Sequence, residues 1–242
     1  NISVNDADDY IMGYTIMNDL SARALQKEEM KLILGNYEVD MIHHDPIIFT
    51  VEGILTNEEC DHFQRIASKG MKRSMVSGLD KQKNKRGLLD KRRTSSDCWV
   101  SHSQDEITSI VGNRIAELVQ IPLSHAEAYQ VLHYSDNQEY QAHLDTFDPD
   151  IKEYSHYLKN GGQRIITALA YLNEVEQGGE TSFPNIDKTI RPHKGKIVIF
   201  HDCYKGTDTP HPDSLHGAMP VLKGEKWAFN LWFRKNPVKQ RI

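Results

Sequence analysis

The chain is poor in cysteine, with three residues of this type among 242. Cys60, Cys98 and Cys203 stand far apart and form no C-x-x-C pair, the spacing on which thiolate zinc sites are built. An odd number of cysteines also excludes a framework in which every thiol is paired. The sequence therefore argues against a structural zinc site, and it leaves open one disulfide beside one free thiol.

Long apolar runs and a strong charge of either sign are also absent. No run approaches the roughly 20 apolar residues that a membrane-spanning helix needs, and none has the form of a signal-peptide core. The formal net charge of -5 is mild for 242 residues, and it gives no general preference for nucleic acid or an anionic membrane. We therefore expect neither a membrane span nor a nucleic-acid partner.

The first 40 residues differ in pattern from the rest. Residues 21–34 predict a helix that Gly35 ends, so we interpret residues 1–40 as a helical arm or appendage and residues 41–242 as the main domain. The first residue is Asn1 rather than methionine, and we expect that an upstream segment is missing.

Two helices are predicted early in the main domain, each with an apolar stripe at helical spacing. The first begins at the capping box Thr56-x-x-Glu59 and ends at Gly70. The second begins at Ser103-x-x-Glu106. It is closed by a proline at position 122, because proline cannot continue a helix.

The segment between these helices is strongly basic. Residues 72–93 contain nine basic and two acidic residues and no aromatic residue. This composition predicts a solvated, mobile loop, with a lid over a bound peptide as the functional alternative. Base stacking has no aromatic support in this segment.

Short segments rich in β-branched and aromatic residues follow, separated by Gly, Asn, Asp and Pro, which is typical of strands and turns. With a strand at 46–54, the predicted strands are 128–134, 139–143, 164–173, 180–183, 196–201, 215–219 and 226–234. Helices first and many strands later favour an all-β sandwich or jelly roll braced by helices.

A candidate metal site begins at His143-Leu144-Asp145. Residues two apart on a strand point to the same face, so the imidazole and the carboxylate converge. His216, on another predicted strand, fits as third ligand. Non-haem Fe(II) oxygenases use two histidines and a carboxylate and keep positions open for a chelating cosubstrate and O2. The same ligands also serve catalytic zinc, and other histidines remain alternatives: His43, His44, His125, His156, His193, His201 and His211.

Lys226 makes iron the better interpretation. It lies ten residues after His216, on the last predicted strand. A 2-oxo dicarboxylate that chelates iron needs a cation about one ligand length away for its far carboxylate, and lysine supplies a compact point charge. An exposed strand lysine with no role in a site is the alternative.

Six stretches of the C-terminal half carry a family resemblance. They are Gln130-Val-Leu-His-Tyr134, Gln138-Glu-Tyr-Gln-Ala-His-Leu-Asp145, Gly161-Gly-Gln-Arg-Ile-Ile-Thr-Ala-Leu-Ala-Tyr-Leu-Asn173, Gly178-Gly-Glu-Thr-Ser-Phe-Pro184, Ser214-Leu-His-Gly217 and Gly224-Glu-Lys-Trp227. They resemble the collagen-type prolyl 4-hydroxylases, above all the small single-domain algal, plant and large-DNA-virus forms. Many other 2-oxoglutarate oxygenases have arginine where Lys226 stands. The resemblance covers roughly residues 45–235.

The resemblance implies an α+β fold whose core is a double-stranded β-helix, or jelly roll, braced by N-terminal helices. It implies Fe(II)- and 2-oxoglutarate-dependent 4-hydroxylation of proline in proline-rich or collagen-like peptides. Succinate and CO2 would be co-products, and ascorbate would rescue uncoupled turnovers.

The resemblance also implies roles for single residues, which are expectations at this point. His143, Asp145 and His216 would hold Fe(II). Lys226 would pair with the C5 carboxylate of 2-oxoglutarate, Tyr134 would donate a hydrogen bond to it, and Thr167 would line the same pocket. Tyr140, Arg164 and Trp232 match positions that face the peptide, whereas Arg234 stands where some relatives have histidine. Tyr134 and Trp232 could instead be core residues, and Arg164 a surface residue.

Two other functions remain open on the sequence. One is a 2-oxoglutarate oxygenase acting on a lysyl side chain or a nucleobase, and the other is a jelly-roll binding module without catalysis. Residues 13–23 resemble a short piece of the fumarylacetoacetate hydrolase family, whose carboxylate metal cluster this sequence lacks. We interpret that piece as a fortuitous match or a foreign arm. The oligomeric state is open, as is the compartment, for which the secretory route or a viral host cell are alternatives.

Overall fold

The computed structural model describes residues 32–34, 37–80 and 85–239. Its helices are α1 (Asn57–Ser68), α2 (Glu106–Val119) and α3 (Ser155–Leu158), with short 3-10 helices at Leu123–His125, Lys152–Tyr154, Pro184–Ile186 and Pro212–Ser214. Its strands are β1 (Leu32–Leu34), β2 (Tyr37–His44), β3 (Ile47–Val51), β4 (Lys72–Arg73), β5 (Val76–Asp80), β6 (Lys85–Leu88), β7 (Ser96–Val100), β8 (Tyr129–Tyr134), β9 (Tyr140–His143), β10 (Arg164–Tyr171), β11 (Gln177–Gly178), β12 (Thr181–Phe183), β13 (Lys188–Ile190), β14 (Ile197–His201), β15 (His216–Ala218), β16 (Val221–Lys223) and β17 (Lys226–Arg234).

Two sheets form the body of the fold. The larger, nine-stranded sheet has the order β1-β2-β3-β14-β10-β17-β8-β7-β4, and the smaller, four-stranded sheet has the order β13-β12-β15-β9. Each strand pair in these sheets is antiparallel and many neighbours are distant in sequence. The α+β prediction is confirmed, with a double-stranded β-helix as the core.

Side-chain alternation divides the larger sheet into two faces. On β10, Ile166, Ala168 and Ala170 join the apolar cluster that includes α1 and α2, whereas Leu169 and Tyr171 pack on the opposite face with Phe183 and Phe200. One face is therefore covered by the helices, and the other faces the smaller sheet. The inner face is where polar side chains of the site can converge.

Helices α1 and α2 both have a side-chain N-cap, and the N-cap of α2 is not the residue that the sequence predicted. Thr56 accepts from the Glu59 backbone and the Glu59 side chain accepts from Thr56, so the predicted capping box is confirmed. For α2 the N-cap is Asp105 rather than Ser103, because the Asp105 carboxylate accepts from the backbone N–H of Thr108 at 2.9 Å. Carboxylate at this position also complements the positive end of the helix dipole.

The basic segment 72–93 is not the plain loop that its composition predicted. It contributes β4 to the edge of the larger sheet, and β5 pairs with β6 as a separate hairpin. These strands form through backbone pairing with neighbouring strands, and amino-acid composition does not predict such pairing well. Residues 81–84, which stand between β5 and β6 in the sequence, lie outside the described residues.

The N-terminal boundary predicted at residue 40 lies inside β2. Strand β1 pairs with β2, and β2 pairs with β3, so residues 32–34 and 37–40 belong to the larger sheet. The helix predicted over 21–34 is therefore wrong in its last three residues, and the remainder lies outside the described residues.

The remaining global expectations concern cysteine and membranes. Cys60, Cys98 and Cys203 are all free thiols, so the disulfide that the sequence left open does not form here. Within the ranges that the structure describes, no helix combines the length and apolar character required to cross a bilayer.

Replacement of Phe63 by alanine tests the packing of α1 on the larger sheet. Phe63 is fully buried, with ring centroids 4.8 Å from Tyr129 and 4.9 Å from Phe229. Phe63→Ala should lower the free energy of unfolding by about 3–5 kcal/mol, since it leaves a cavity. The matched control is Ile110→Ala on α2, where 46% of the side chain is exposed. Urea denaturation measures both, and equal effects would contradict the packing described.

Candidate metal centre

Two histidines and one aspartate converge on the inner side of the smaller sheet. Strands β9 and β15 pair so that His143 lies directly opposite His216, and Asp145 follows β9 by two residues. The Nε2 atoms of His143 and His216 lie 3.5 and 3.6 Å from the Asp145 carboxylate oxygens. One potential ligand atom from each residue lies within 4.8 Å of the others. This arrangement can hold one metal ion on one face.

Both imidazoles are oriented by backbone carbonyls. Nδ1 of His143 lies 2.9 Å from the Gln141 carbonyl, and Nδ1 of His216 lies 3.0 Å from the Ser214 carbonyl. A carbonyl only accepts, so Nδ1 carries the proton and Nε2 presents its lone pair to the cluster. Burial lowers the pKa of His216 to about 4, which keeps this ring neutral at physiological pH, as a metal ligand must be.

The Asp145 carboxylate is held by two donors from the larger sheet. Its Oδ2 accepts from the Thr167 hydroxyl at 2.8 Å and from the Trp232 indole N–H at 2.8 Å. Thr167 and Trp232 lie opposite each other on β10 and β17. Thr167 therefore contacts the Asp145 carboxylate. It is not among the residues that line the pocket around Lys226, and its expected role in that pocket stays a prediction.

A narrow pocket beside the cluster contains Lys226. The Lys226 side chain is 1% exposed, and within the part of the chain that the structure describes it makes no ion pair. Its Nζ lies 5.5 Å from the centroid of the Tyr134 ring and 5.4 Å from that of Tyr171. Burial lowers the pKa of Lys226 to about 7. The carboxylate of Glu180 acts on this amine only from a longer distance. A buried ammonium without a contact ion pair is costly, so this pocket favours an anion.

The pocket and the metal cluster are contiguous. Its lining includes Tyr134 and Lys226 at one end and His143 and His216 at the other. An anionic group at Lys226 and a chelating group at the cluster can therefore belong to one small molecule.

A groove of about 790 Å³ opens on the other side of the cluster, large enough for several residues of an extended peptide. The three residues that the resemblance assigned to the peptide, Tyr140, Arg164 and Trp232, all line it, as do Trp99 and Phe147. Tyr140 stacks on His143 with ring centroids 3.6 Å apart. The groove thus leads to the metal cluster along aromatic faces.

Two segments meet over this groove. The backbone N–H of Gly78, on β5, donates to the Tyr157 hydroxyl of α3 at 3.3 Å. Segment 146–160 contains α3, and Phe147 stacks on Tyr157 with centroids 4.8 Å apart. Residues 92–94 bind the outer edge of β9, since Gln141 donates to the Arg92 carbonyl at 2.9 Å and Thr94 donates to the Glu139 carbonyl at 2.9 Å.

Arg164 is engaged within the protein. Its guanidinium donates twice to Glu127, at 2.7 and 3.0 Å, and its Cζ lies 3.6 Å from the centroid of the Trp232 ring. Arg234 donates to the same Glu127 oxygen at 2.6 Å. Glu127 is therefore the shared counter-charge of two guanidinium groups beside the groove.

Several residues at the site were missed by sequence reasoning. Trp99 is 51% exposed and faces Trp232 with centroids 6.0 Å apart. Asp202 is fully buried beside Thr167. Asn230 lines both the groove and the Lys226 pocket, and its buried Oδ1 has no hydrogen-bond partner among the described residues. Side chains that carry a polar group recur at alternate positions of β17 (226, 230, 232 and 234). This pattern could have predicted that Asn230 faces the site.

The alternative third ligands lie elsewhere. The structure describes all seven of the other candidate histidines, and among the described residues none of them joins the cluster. Several have other partners: His193 pairs with Glu52 at 2.7 Å, and His125 with the Arg234 carbonyl at 3.1 Å.

Comparisons with known proteins agree with this geometry. A model of the 2OG-Fe(II) oxygenase superfamily matches residues 129–234. "Probable prolyl 4-hydroxylase 7" of Arabidopsis thaliana is 34% identical over 80% of this chain and 64% of its own length. "Prolyl 4-hydroxylase 5" of the same plant is 35% identical over 85% and 75%, respectively. A viral collagen prolyl hydroxylase from Paramecium Bursaria Chlorella virus-1, solved with 2OG, matches with a TM-score of 0.60 and 26% identity over 77% of this chain and 95% of that chain.

A second family model concerns the N-terminal part. The model of the fumarylacetoacetate hydrolase C-terminal domain matches residues 1–61, a longer stretch than the resemblance at 13–23. Residues 37–61 of that stretch form β2, β3 and the start of α1 within the jelly roll. The match therefore extends beyond the predicted piece into residues that belong to the described fold, and the choice between a fortuitous match and a foreign arm stays open.

Replacement of Glu127 tests the buried charge cluster. Glu127→Gln keeps the size of the side chain but leaves two guanidinium groups without a counter-charge, so the free energy of unfolding should fall by about 3 kcal/mol. Glu176→Gln is the control, because the Glu176–Lys223 pair is exposed on the surface and such pairs contribute little. Denaturant unfolding of both variants measures the difference, and a Glu127→Gln protein as stable as the control would count against the cluster.

Proposed function

Because the chain belongs to the prolyl 4-hydroxylase family of the 2OG-Fe(II) oxygenase superfamily, and is a 2-oxoglutarate-dependent dioxygenase that uses Fe(II), we propose that it hydroxylates C4 of proline in proline-rich or collagen-like peptides. Succinate and CO2 are the co-products. The observation that carries the proposal is the contiguity of three features: a His–Asp–His cluster, a pocket with a buried ammonium, and an aromatic groove.

The cluster fits ferrous iron in its donor set. His143 and His216 direct their Nε2 atoms, and Asp145 its carboxylate, to one point, and these three groups would hold the ion and leave other positions open for a cosubstrate. Both imidazoles have their second nitrogen bound to a carbonyl, as metal-ligating histidines usually do. Zinc uses similar ligands, but the match to the 2OG-Fe(II) oxygenase superfamily favours iron.

The Lys226 pocket fits the far carboxylate of 2-oxoglutarate. Lys226 makes no contact ion pair among the described residues and is 1% exposed, and Glu180 acts on its charge only from a longer distance, so a carboxylate bound there would offset its desolvation. We assign the C5 carboxylate to Lys226, with Tyr134 beside it as a hydrogen-bond donor.

The groove fits an extended, proline-rich chain. Such peptides adopt the polyproline II conformation and are bound on aromatic surfaces. Tyr140, Trp99 and Trp232 supply such surfaces. We assign Arg164 the task of fixing Trp232 and the groove wall, because its guanidinium is already bound to Glu127.

The reaction needs three tasks from this chain. When bound together, Fe(II) and 2-oxoglutarate would activate O2, one oxygen atom of which becomes the C4–OH of proline while the other enters succinate as 2-oxoglutarate loses CO2; ascorbate, typical of this family, keeps the metal reduced. The protein orients the cosubstrate between the cluster and Lys226, holds the proline ring against the aromatic wall, and excludes water from the site.

The domain that performs this task is proposed to comprise residues 41–242 together with strands β1 and β2. Residues 1–31 are assigned to an N-terminal arm without a catalytic role.

Peptide-dependent turnover tests the proposed function. With Fe(II), 2-oxoglutarate and ascorbate, a polyproline or collagen-like peptide should stimulate succinate release and gain one oxygen atom on proline. His216→Ala should abolish both, since it removes a ligand, whereas His193→Ala, at an exposed site outside the cluster, should retain them. Mass spectrometry and a succinate assay give the readout. Oxygen gain on a lysyl peptide or an oligonucleotide instead of proline would favour the other substrate class.

The pH dependence of 2-oxoglutarate binding tests the role of Lys226. The protonated amine attracts the dicarboxylate, and burial lowers the pKa of Lys226 to about 7. Affinity should therefore be constant below that pKa and fall by up to about tenfold per pH unit above it. In Lys226→Arg the guanidinium stays charged, so affinity should not change with pH. Anaerobic calorimetry measures both proteins, and a pH-independent affinity in the wild type would contradict the assignment.

A further inference from the structure

Asp202 is a buried acid that the proposed reaction does not use. It follows β14 and its side chain is fully buried. Both carboxylate oxygens lie within hydrogen-bond distance of one atom, the Thr167 hydroxyl oxygen, at 3.1 and 3.0 Å. The same hydroxyl lies 2.8 Å from Oδ2 of Asp145. Two carboxyl groups thus share one hydroxyl.

The number of protons at this hydroxyl determines the charge of Asp202. A threonine hydroxyl has one hydrogen to donate and lone pairs to accept. If both carboxyl groups were ionised, one would face only oxygen lone pairs, in a buried place where an unpaired charge is costly. Each carboxyl group has one hydrogen bond to the hydroxyl if Asp202 is protonated and donates to Thr167 through one of its oxygens, and Thr167 donates to Asp145.

The surroundings favour this arrangement. Among the described residues no cation is hydrogen-bonded or ion-paired to Asp202, and the nearby Arg164 is bound to Glu127. Burial and the negative charge of Asp145 raise the pKa of the Asp202 carboxyl well above its usual value. Asp145, in contrast, has two donors on one oxygen, Thr167 and the Trp232 indole.

The backbone of Asp202 reaches the second histidine of the cluster. Its carbonyl accepts from the backbone N–H of His211 at 2.9 Å and from the Ser214 hydroxyl at 3.3 Å. The carbonyl of Ser214 in turn orients His216. The backbone of Asp202 is therefore held by the segment that presents His216, a proposed metal ligand. The side chain of Asp202 contacts Thr167, which in turn contacts Asp145, a second proposed ligand.

We propose that Asp202 is a positioning residue, a neutral carboxylic acid that through Thr167 holds Oδ2 of Asp145 and leaves Oδ1 of Asp145 for the metal ion. This rests on the proposed function, because it assumes that Asp145 is a ligand. Asp202 touches neither metal nor substrate. Its contribution is to fix the orientation of a ligand before the metal binds, which is how groups behind a ligand increase metal affinity.

Two matched pairs of variants test the relay. Asp202→Asn keeps a neutral donor of the same size, whereas Asp202→Leu removes the donor. Thr167→Ser keeps the hydroxyl, whereas Thr167→Val removes it. We expect Co(II) affinity close to wild type for Asp202→Asn and Thr167→Ser, and about 10–100-fold weaker binding for Asp202→Leu and Thr167→Val. Co(II) accepts the same ligands as Fe(II), and its visible absorption reports binding without turnover.

Two further measurements separate positioning from general stability. The metal-free variants are compared by circular dichroism and thermal unfolding, so that a variant that does not fold is recognised. The infrared band of a protonated carboxyl group should be present in the wild type and absent in Asp202→Asn, which folds with the least change. A wild type without this band would overturn the proposal.

The outcomes distinguish this inference from the proposed function. Equal loss of Co(II) affinity in Asp202→Asn and Asp202→Leu would overturn the relay, since it would show that an ionised carboxylate is needed. Wild-type affinity in both Asp202→Leu and Thr167→Val would overturn it as well. A wild-type protein that binds neither Co(II) nor Fe(II) would contradict the metal site itself, and with it the proposed function.

Discussion

The site depends on the alternation of side chains along one central strand, β17. Phe229, Leu231 and Phe233 face the helices and the main apolar core, so Lys226, Asn230 and Trp232 must point to the inner side. Neighbouring strands fix the register, because Lys226 lies opposite Tyr134 and Trp232 opposite Thr167. A shift by one residue would exchange the two faces, and the apolar core would be lost together with the site.

Burial then gives these polar residues their chemical properties. The same exclusion of water that lowers the pKa of Lys226 to about 7 keeps His216 neutral, and it makes a bound carboxylate the natural partner of the amine. Each buried charge at the site is paired with another protein group or faces a cavity. Arg164 is paired with Glu127 and has a structural role. Lys226 has no contact ion pair among the described residues and faces the pocket, as a ligand-binding cation would.

The sequence predicts what depends on local pattern. The spacing of two between His143 and Asp145 places both on one side of the chain, and strong β-propensity located β8, β10 and β17 within two residues at each end. Pairings remote in sequence carry no such signal. Strands β5 and β6 are polar, Asp202 belongs to no motif, and the contact of Thr167 with Asp145 depends on how β10 lies beside β17. The N-cap at Asp105 was missed because the serine two residues earlier fitted the capping pattern as well.

The backbone hydrogen bonds between residues 92–94 and the outer edge of β9 have a mechanical consequence. They tie the base of the basic segment to the strand that carries His143, so this base cannot swing away without disturbing a ligand. On this side of the groove, an opening would therefore involve the hairpin of β5 and β6, which precedes Arg92 in the chain. A movement of this hairpin would therefore leave the position of His143 in the cluster unchanged.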